Sequence, residues 1–377
     1  MATTKEIPPP LVGVQMSLET AQKILRDHLK KECQEIIPIE KGYNNRTYIC
    51  KCKGENDVVI RLGGRFWKFY KTVGLRYFYL PFQEAEVGCI HFLRQKTKIP
   101  VPQVLYYDSV GEEIGHEYIV MTKIPGTCLE DEWKSFHWKQ KMEVLDQLAD
   151  YVIQMKQQRS KHIGSLYFKK KVTNHLFDEW VESEEFGDLV VSDTTDCGLF
   201  PDFTSYMKQM LQNYINRVVN KPERHGSLKD FLPQAKHLLD HMEQILKEAN
   251  DTTVISLSHK DLTFRNIIVD GTKITGIIDW EWGGFFPEDE ELVGSYEFVN
   301  DEKDPDVNLV REYFFEALKS RGGYTPETLP HFSKRRLCYE IGDNLSPWVL
   351  DQQDDVEKHV IPEAKKKLEK LFVEIYQ

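Results

Sequence analysis

The chain has 377 residues, of which 41% are hydrophobic and 29% are charged, and its formal net charge is −11. A chain of this length can bury the cores of two lobes. The acidic net charge argues against a surface that binds nucleic acid or anionic membranes in general. The sequence has no run of about eighteen apolar residues, so no transmembrane helix is predicted. Seven cysteines without paired spacing and a polar N-terminus make the cytoplasm the expected compartment.

The beginning of the chain predicts an arm, a helix and the first strands of a sheet. Residues 1–16 contain three consecutive prolines and are expected to form an extended arm that is mobile or lies along the surface. Ser17 can cap a helix that runs to about Cys33. Three strand-like runs follow, at residues 36–40, 47–52 and 58–62.

A polar turn at residues 41–46 separates the first two of these strands. It has the position and length of a loop that folds over nucleotide phosphates, with Gly42, Tyr43 and Asn44 as its candidate contacts. A single glycine is a weak signal, and an ordinary hairpin turn would have the same composition. Both interpretations stay open at this point.

Residues 63–82 combine four basic residues with eight aromatic residues. Such a stretch can be a stacking surface for nucleic acid or a membrane contact. It can also be an insertion whose rings are buried while its basic groups stay in water, and the acidity of the whole chain favours this second interpretation.

Helices dominate the rest of the chain. A helix at 83–96 carries Glu84 and Glu86 and is stopped by Ile-Pro-Val-Pro at 99–102, before strands at 104–107 and 116–122. Residues 123–126 break the second of these strands. Further helices are predicted at 138–158, 203–219, 228–249 and from 307 onwards. Acceptor specificity is expected, from position alone, in residues 177–229.

The segment 258–282 holds the strongest functional signal. Two short β-branched runs, 266–269 and 274–278, are joined by the turn signal Asp270-Gly271, which predicts a tight hairpin. A hairpin places the start of its first strand beside the end of its second. Asn266 and Asp279 are therefore expected to be neighbours.

Asp261 lies on the loop that feeds this hairpin, so three oxygen-bearing side chains are expected at one end of it. Phosphoryl transfer needs an Asp to orient the acceptor hydroxyl, and an Asn and an Asp to hold Mg²⁺. Asp261 fits the first role, and Asn266 and Asp279 fit the second. His259 is a further candidate, and its favoured role is to hydrogen-bond the loop because Asp261 already fills the role of the base.

Four consecutive acidic residues, 288–291, follow the hairpin. They can attract a cationic acceptor such as an amine. A solvated helix start, which the helix dipole favours, is the preferred interpretation.

Segment 258–282 resembles the catalytic and metal-binding segment of the aminoglycoside phosphotransferase and choline kinase group, in a fungal-type branch. The Ile-Pro-Val-Pro stop after a helix is a second likeness. The resemblance implies an α+β, two-lobed, protein-kinase-like fold, with an N-terminal nucleotide-binding lobe of antiparallel sheet (17–122), a hinge (123–126) and a mainly helical C-terminal lobe (127–377). It also implies ATP and Mg²⁺ as cofactors and a small-molecule hydroxyl as the acceptor.

The same resemblance assigns residues of the N-terminal lobe. Arg61 occupies the position of the phosphate-binding lysine of kinases, Glu86 is its partner with Glu84 as a rival, and the backbone at Met121 to Lys123 would bind adenine. Arginine is bulkier than lysine and binds phosphate with a planar fork, so this departure is not neutral. A pseudokinase that binds without transferring phosphate is therefore an alternative, and a protein kinase is less favoured because the sequence has no multi-glycine loop, Asp-Phe-Gly or Ala-Pro-Glu segment.

Overall fold

The computed structural model describes residues 11–42, 44–54, 56–63, 82–109, 111–169, 184–192, 198–351 and 357–377. These residues form an antiparallel sheet and a mainly helical part. Tyr43, residues 1–10 of the predicted arm and residues 64–81 of the aromatic and basic stretch lie outside the described residues. None of the helices in the ranges above combines the length and the apolar character needed to cross a membrane.

Five antiparallel strands form the N-terminal sheet in the order β1-β2-β3-β5-β4. Alternate side chains of the second strand, Tyr48, Cys50 and Cys52, are buried, as expected for a sheet with one face on a core. The antiparallel N-terminal sheet predicted above is therefore confirmed. The strands are β1 (Cys33–Ile39), β2 (Asn45–Cys52), β3 (Val58–Gly63), β4 (Val104–Asp108) and β5 (Tyr118–Thr122).

Helix α1 (Leu18–Leu29) packs on this sheet, and its cap is the predicted Ser17, whose side chain accepts a hydrogen bond from the Thr20 amide. The predicted end at Cys33 is wrong. Lys30 adopts a left-handed conformation (φ 57°), which ends the helix and lets Cys33 start β1.

The described part of the predicted arm, residues 11–16, lies partly buried against the sheet. Leu11, Val14 and Met16 are buried, whereas Val12 is 56% exposed, and the Met16 amide donates to the Tyr48 hydroxyl at 3.1 Å. Val14 and Met16 belong to the same apolar core as α1 and the sheet, and burial of a large apolar side chain is worth about 1.5–3 kcal/mol.

The remaining elements run from α2, which crosses behind the sheet, to a C-terminal helix. Helices are α2 (Phe82–Lys96), α3 (Leu129–Glu132), α4 (Trp138–Gln157), α5 (Phe203–Asn220), α6 (Pro222–His225), α7 (Leu232–Asp251), α8 (Val307–Ser320), α9 (Phe332–Leu345) and α10 (Glu357–Glu374); strands are β6 (Thr127–Cys128), β7 (Ser165–Phe168), β8 (Glu185–Phe186), β9 (Leu189–Ser192), β10 (Ile255–Ser258), β11 (Ile267–Asp270), β12 (Lys273–Ile277) and β13 (Gly284–Pro287).

A single apolar core fixes the hairpin of β11 and β12 against the helices. Helix α4 contributes an apolar face that includes Val144, Leu148 and Val152, and the hairpin contributes Ile267 and Ile277 to the same core. The hairpin therefore rests on a buried helix, which gives the side chains at its end a rigid base.

Gly126 joins the sheet to the helical part and lies against the hairpin. Its φ is +115°, and a Cβ there would lie 2.2 Å from the Val269 carbonyl oxygen. Only glycine can pack so closely on that backbone.

We expect Gly126→Ala to lower the free energy of unfolding by about 3 kcal/mol or more, because it adds a steric clash to an unfavourable φ. Gly54→Ala is the control, since Gly54 also has positive φ (+66°) but open space around it. Denaturant unfolding measures both, and equal effects of the two substitutions would show that the contact with the hairpin is unimportant.

Candidate active site

The predicted hairpin is confirmed, and its open end gathers the site. Asp270 pairs with Lys273 across a two-residue turn, Gly271-Thr272, one position later than the expected Asp270-Gly271. At the other end the Ile278 amide donates to the Asn266 carbonyl at 2.9 Å. Asn266 and Asp279 therefore leave the hairpin at the same end.

Asn266 is fastened to Asp261. Its Nδ2 donates to the Asp261 carbonyl at 2.8 Å and to Asp261 Oδ2 at 2.9 Å. Burial raises the pKa of the Asp261 carboxyl, and the hydrogen bond from Asn266 opposes that rise. Because the Asn266 nitrogen is held by Asp261, its Oδ1 is the amide atom left to face a cation.

His259 is buried behind the loop and uses both ring nitrogens. Nε2 donates to the Ile278 carbonyl at 2.9 Å, and Nδ1 accepts from the Asp261 amide at 3.2 Å. The ring also lies 4.4 Å from that of Trp280. These contacts link the loop that carries Asp261 to the segment that carries Asp279.

Glu291 holds the backbone immediately before Asp261, a role that the sequence did not reveal. Its carboxylate accepts from the amides of His259 and Lys260. Lys260 has a φ of 65°, in the left-handed region that costs a residue with a side chain roughly 1 kcal/mol or more. The Glu291 carboxylate therefore helps to hold a strained turn beside Asp261.

The acidic run 288–291 is not a solvated helix start, and that prediction is wrong: all four side chains are buried. Glu288 pairs with Arg159, Asp289 pairs with Arg335 at 3.1 Å, and Glu290 accepts from the Tyr206 hydroxyl. The run directly follows β13 and lies beneath the loop that carries Asp261. Each of its carboxylates accepts a hydrogen bond or pairs with a cation there.

Arg61 is buried and contacts three carboxylates. Its Nη1 lies 2.7 Å from Glu86 Oε1, and its Nη2 lies 2.6 Å from Glu281 Oε2 and 2.9 Å from Asp279 Oδ1. Burial disfavours the charged guanidinium, but the three carboxylates outweigh it and raise the pKa of Arg61. Glu84, the rival of Glu86, instead accepts from Ser109 Oγ at 2.5 Å.

Glu281 ties this cluster to the polar turn between β1 and β2, and sequence reasoning missed it. Its two carboxylate oxygens accept from Asn44 Nδ2 at 2.9 Å and from Asn45 Nδ2 at 2.7 Å. Burial raises the pKa of Glu281, and it raises that of Glu86 to about 7. The only sequence signal was an acidic residue two positions after Asp279.

A cleft of about 2060 Å³ lies between the sheet and the helical part. It brings together every described candidate residue except Glu84 and His259, which is buried behind the loop that carries Asp261. Tyr43 lies outside the described residues. The candidates that line the cleft are Gly42, Asn44, Arg61, Glu86, Met121, Lys123, Asp261, Asn266 and Asp279.

Two of these residues fit a hard divalent cation. Asp279 contributes a carboxylate whose side chain is 34% exposed, and Asn266 contributes an amide oxygen. Over the ranges of the chain described above, no group of three or more His, Cys, Asp or Glu side chains could hold a metal ion. A donor set this small suits Mg²⁺, which takes its remaining ligands from water and substrate phosphates.

The sequence matches one family over most of its length. A sequence profile described as a phosphotransferase enzyme family matches residues 35–325. Two curated proteins from two strains of Aspergillus fumigatus, both named as subtelomeric hrmA-associated cluster proteins, are 28% identical over 141 residues, or 37% of this chain. The match spans only 26% of the length of these relatives.

Solved structures with a similar fold cover nearly the whole chain. The streptomycin–ATP–APH(2″)-IIa ternary complex has a TM-score of 0.57 at 14% identity and covers 95% of this chain and 99% of that chain. The ADP-bound aminoglycoside phosphotransferase APH(2″)-Ib scores 0.56 at 13% identity, with coverages of 93% and 97%. A putative fructosamine-3-kinase from Thermobifida fusca scores 0.56 at 12% identity, with coverages of 96% and 99%. The predicted α+β, two-lobed, protein-kinase-like fold is thereby confirmed.

We expect Arg61→Met to lower the free energy of unfolding by roughly 3–5 kcal/mol, because it leaves buried carboxylates without their cation. Adding Glu281→Gln to this variant should recover part of the loss, since one of those charges is then gone. Lys41→Met is the control, because Lys41 and its partner Asp131 are exposed and such pairs are worth about 1 kcal/mol or less. Denaturant unfolding measures the free energy of unfolding of each variant. If Arg61→Met lowers it no more than Lys41→Met does, the charge cluster is not important for stability.

Proposed function

Because the chain belongs to the phosphotransferase enzyme family, we propose that it is an ATP- and Mg²⁺-dependent kinase that phosphorylates a hydroxyl group of a small molecule. The observation that carries this proposal is the convergence of Asp261, Asn266 and Asp279 at one end of the hairpin, facing the cleft that Arg61 also lines. Structures of this fold solved as a complex with streptomycin and ATP and in an ADP-bound form support it.

Asp261 is the base in this proposal. It would accept or orient the proton of the acceptor hydroxyl, as the catalytic Asp of phosphoryl transfer does. Its hydrogen bonds with Asn266 fix the direction of the carboxylate. His259 would be a positioning residue, because both its ring nitrogens are engaged with backbone groups and neither is free to exchange a proton with the acceptor.

Asn266 and Asp279 would hold Mg²⁺, which supplies charge neutralisation for the nucleotide phosphates. Arg61 would bind phosphate from the sheet side, with Glu86 holding it in place. Gly42 and Asn44 belong to the turn that would cover the phosphates, and the backbone at Met121 and Lys123 would bind the adenine.

A pseudokinase that binds nucleotide without transfer is the second candidate. The observation in its favour is Arg61, whose guanidinium is already shared among three carboxylates. The presence of Asp261, Asn266 and Asp279 together opposes it. A thermal shift with Mg-ATP, followed by an assay for loss of the γ-phosphate across an acceptor panel, separates the two: stabilisation without phosphate loss favours the pseudokinase.

We expect Asp261→Asn to reduce kcat by about 10²–10⁴-fold while nucleotide binding is kept, since the base acts on the acceptor and not on ATP. Asp270→Asn, at the exposed turn of the same hairpin, is the matched control and should leave kcat unchanged. Turnover and equilibrium nucleotide binding are measured on both variants. Unchanged turnover in Asp261→Asn would remove Asp261 from the role of the base.

Asp279→Asn should weaken nucleotide binding by roughly tenfold, or about 1.4 kcal/mol, when Mg²⁺ is present, because a neutral amide is a poorer ligand for the cation. Binding measured by calorimetry without Mg²⁺ should change much less. An equal loss in both conditions would mean that Asp279 acts through its contact with Arg61 and not through the metal.

A further inference from the structure

Helix α5 forms a wall of the cleft on the side of the helical part. One of its faces, which includes Met207, Leu211 and Ile215, is buried in a core with α7, α9 and α10. The adjacent face lines the cleft at helical spacing, and Tyr206 at its start belongs to the core as well. The residues that do so are Tyr206, Met210, Asn213, Tyr214, Asn216, Arg217 and Asn220.

The beginning of this wall lies beside the proposed base. Lys260, which directly precedes Asp261, reaches the Tyr206 hydroxyl with its Nζ at 3.5 Å. Arg217 lies about three helical turns farther on, roughly 16 Å along the axis. An acceptor whose hydroxyl is at Asp261 can therefore extend along the helix towards Arg217.

The wall presents N–H donors to the cleft. Asn213 Oδ1 accepts from Gln209 Nε2 at 2.9 Å, and Asn216 Oδ1 accepts from Gln212 Nε2 at 2.9 Å. Both amide oxygens are thus bonded within the helix surface, which leaves the NH₂ groups to meet a ligand. A donor-rich wall favours an acceptor that carries oxygen acceptors or negative charge.

The carboxylates that line the same region are already bonded to tyrosines. Glu290 accepts from the Tyr206 hydroxyl, and Asp343 accepts from the Tyr214 hydroxyl at 2.9 Å. Against these two acids the wall and its surroundings supply three cations, in a chain whose net charge is −11. The cations are Arg217, Lys221 and Lys260, and the carboxylate of Asp261, which directly follows Lys260, is a third acid on this part of the cleft.

Arg217 is the most specific feature of this wall. It is half-buried, and its guanidinium lies 5.7 Å from the centre of the Tyr214 ring, which is itself held by Asp343. Within the described ranges its guanidinium donates no hydrogen bond to another residue, and it interacts through its charge with the Asp343 carboxylate. A partly desolvated guanidinium held on an aromatic ring, with its planar fork towards a cavity, is suited to a carboxylate or phosphate.

We propose that the acceptor carries an anionic group, a carboxylate or a phosphate ester, which Arg217 binds at the end remote from the hydroxyl that receives phosphate. The assignment of this wall to the acceptor depends on the proposed kinase function. A polycationic acceptor is a poor match for this wall. Arg217 also lies in the last turn of α5, where a cation stabilises the helix dipole, and that role alone predicts no preference among acceptors.

The test uses matched sets of hydroxylated compounds in which one position is a carboxylic acid, a phosphate ester or a neutral primary amide. Binding to the full-length protein with Mg-ADP present is measured by saturation-transfer NMR. We expect acids or phosphate esters to bind and the amides to bind at least about tenfold more weakly, and Arg217→Met to remove this preference. The member of each set that binds best identifies the anion.

Lys208→Met is the matched control, because Lys208 lies on the same helix, outside the cleft, and pairs with Glu243. It should keep the preference for anions, and thermal unfolding of both variants checks that they fold. Equal binding of amides and anions, no binding of any anion, or an anion preference that survives Arg217→Met would each overturn the proposal.

Phosphate transfer to the same compounds is assayed separately, so the two proposals can fail independently. Arg217-dependent anion binding without phosphate transfer would support the anion site and contradict the proposed kinase function. Phosphate transfer to the neutral amides as efficiently as to the anions would support the proposed kinase function and contradict the anion site.

Discussion

The site depends on the buried charge cluster around Arg61. Its guanidinium belongs to the sheet, Glu86 belongs to α2, and Glu281 and Asp279 follow the hairpin in the helical part. A buried charge is tolerated only when partners surround it, so the cluster fixes these elements relative to one another. Through Asn44 and Asn45, Glu281 extends the same network to the turn above the cleft.

The arrangement suits an arginine at position 61. A guanidinium has a planar fork that can reach carboxylates on two sides at once, whereas an ammonium is a point charge. Arg61 uses that fork to bridge Glu86 and Glu281. In the proposed reaction the nucleotide phosphates would have to share the guanidinium with these carboxylates, so Glu281 becomes part of the phosphate-binding side of the cleft.

A second network fixes the catalytic loop from behind. Glu291 holds the amides of His259 and Lys260, and His259 connects the loop to Ile278. Lys260 and Asp279 both have positive φ, at 65° and 67°, on either side of the hairpin. Backbone strain of this kind persists only where the surroundings determine the conformation, and here buried hydrogen bonds do so.

The family and the fold leave the acceptor open. The solved structures share the fold at 12–14% identity, and the streptomycin bound in one of them belongs to that protein. The wall formed by α5 brings amides, tyrosines and Arg217 together on one helical face beside the cleft. Acceptor chemistry is therefore better inferred from that face than from the fold.

The sequence alone determined what depends on neighbours along the chain. The hairpin, the meeting of Asn266 with Asp279, the cap at Ser17 and the stop after α2 follow from local rules of turns, strands and prolines, and the motif that begins at His259 identified the family. The pairing of Arg61 with Glu86, and not with Glu84, followed from the resemblance, and the structure has that contact.

Tertiary structure decided what depends on contacts between distant segments. The roles of Glu281 and Glu291 were missed, and the burial of the acidic run 288–291 was wrongly predicted. The physical reason is that a carboxylate is recognised as buried only when its donors are known, and those donors, such as Arg61, Arg159 and Arg335, lie far away in sequence. The local sequence shows where each carboxylate is, but it does not show which distant residue pairs with it.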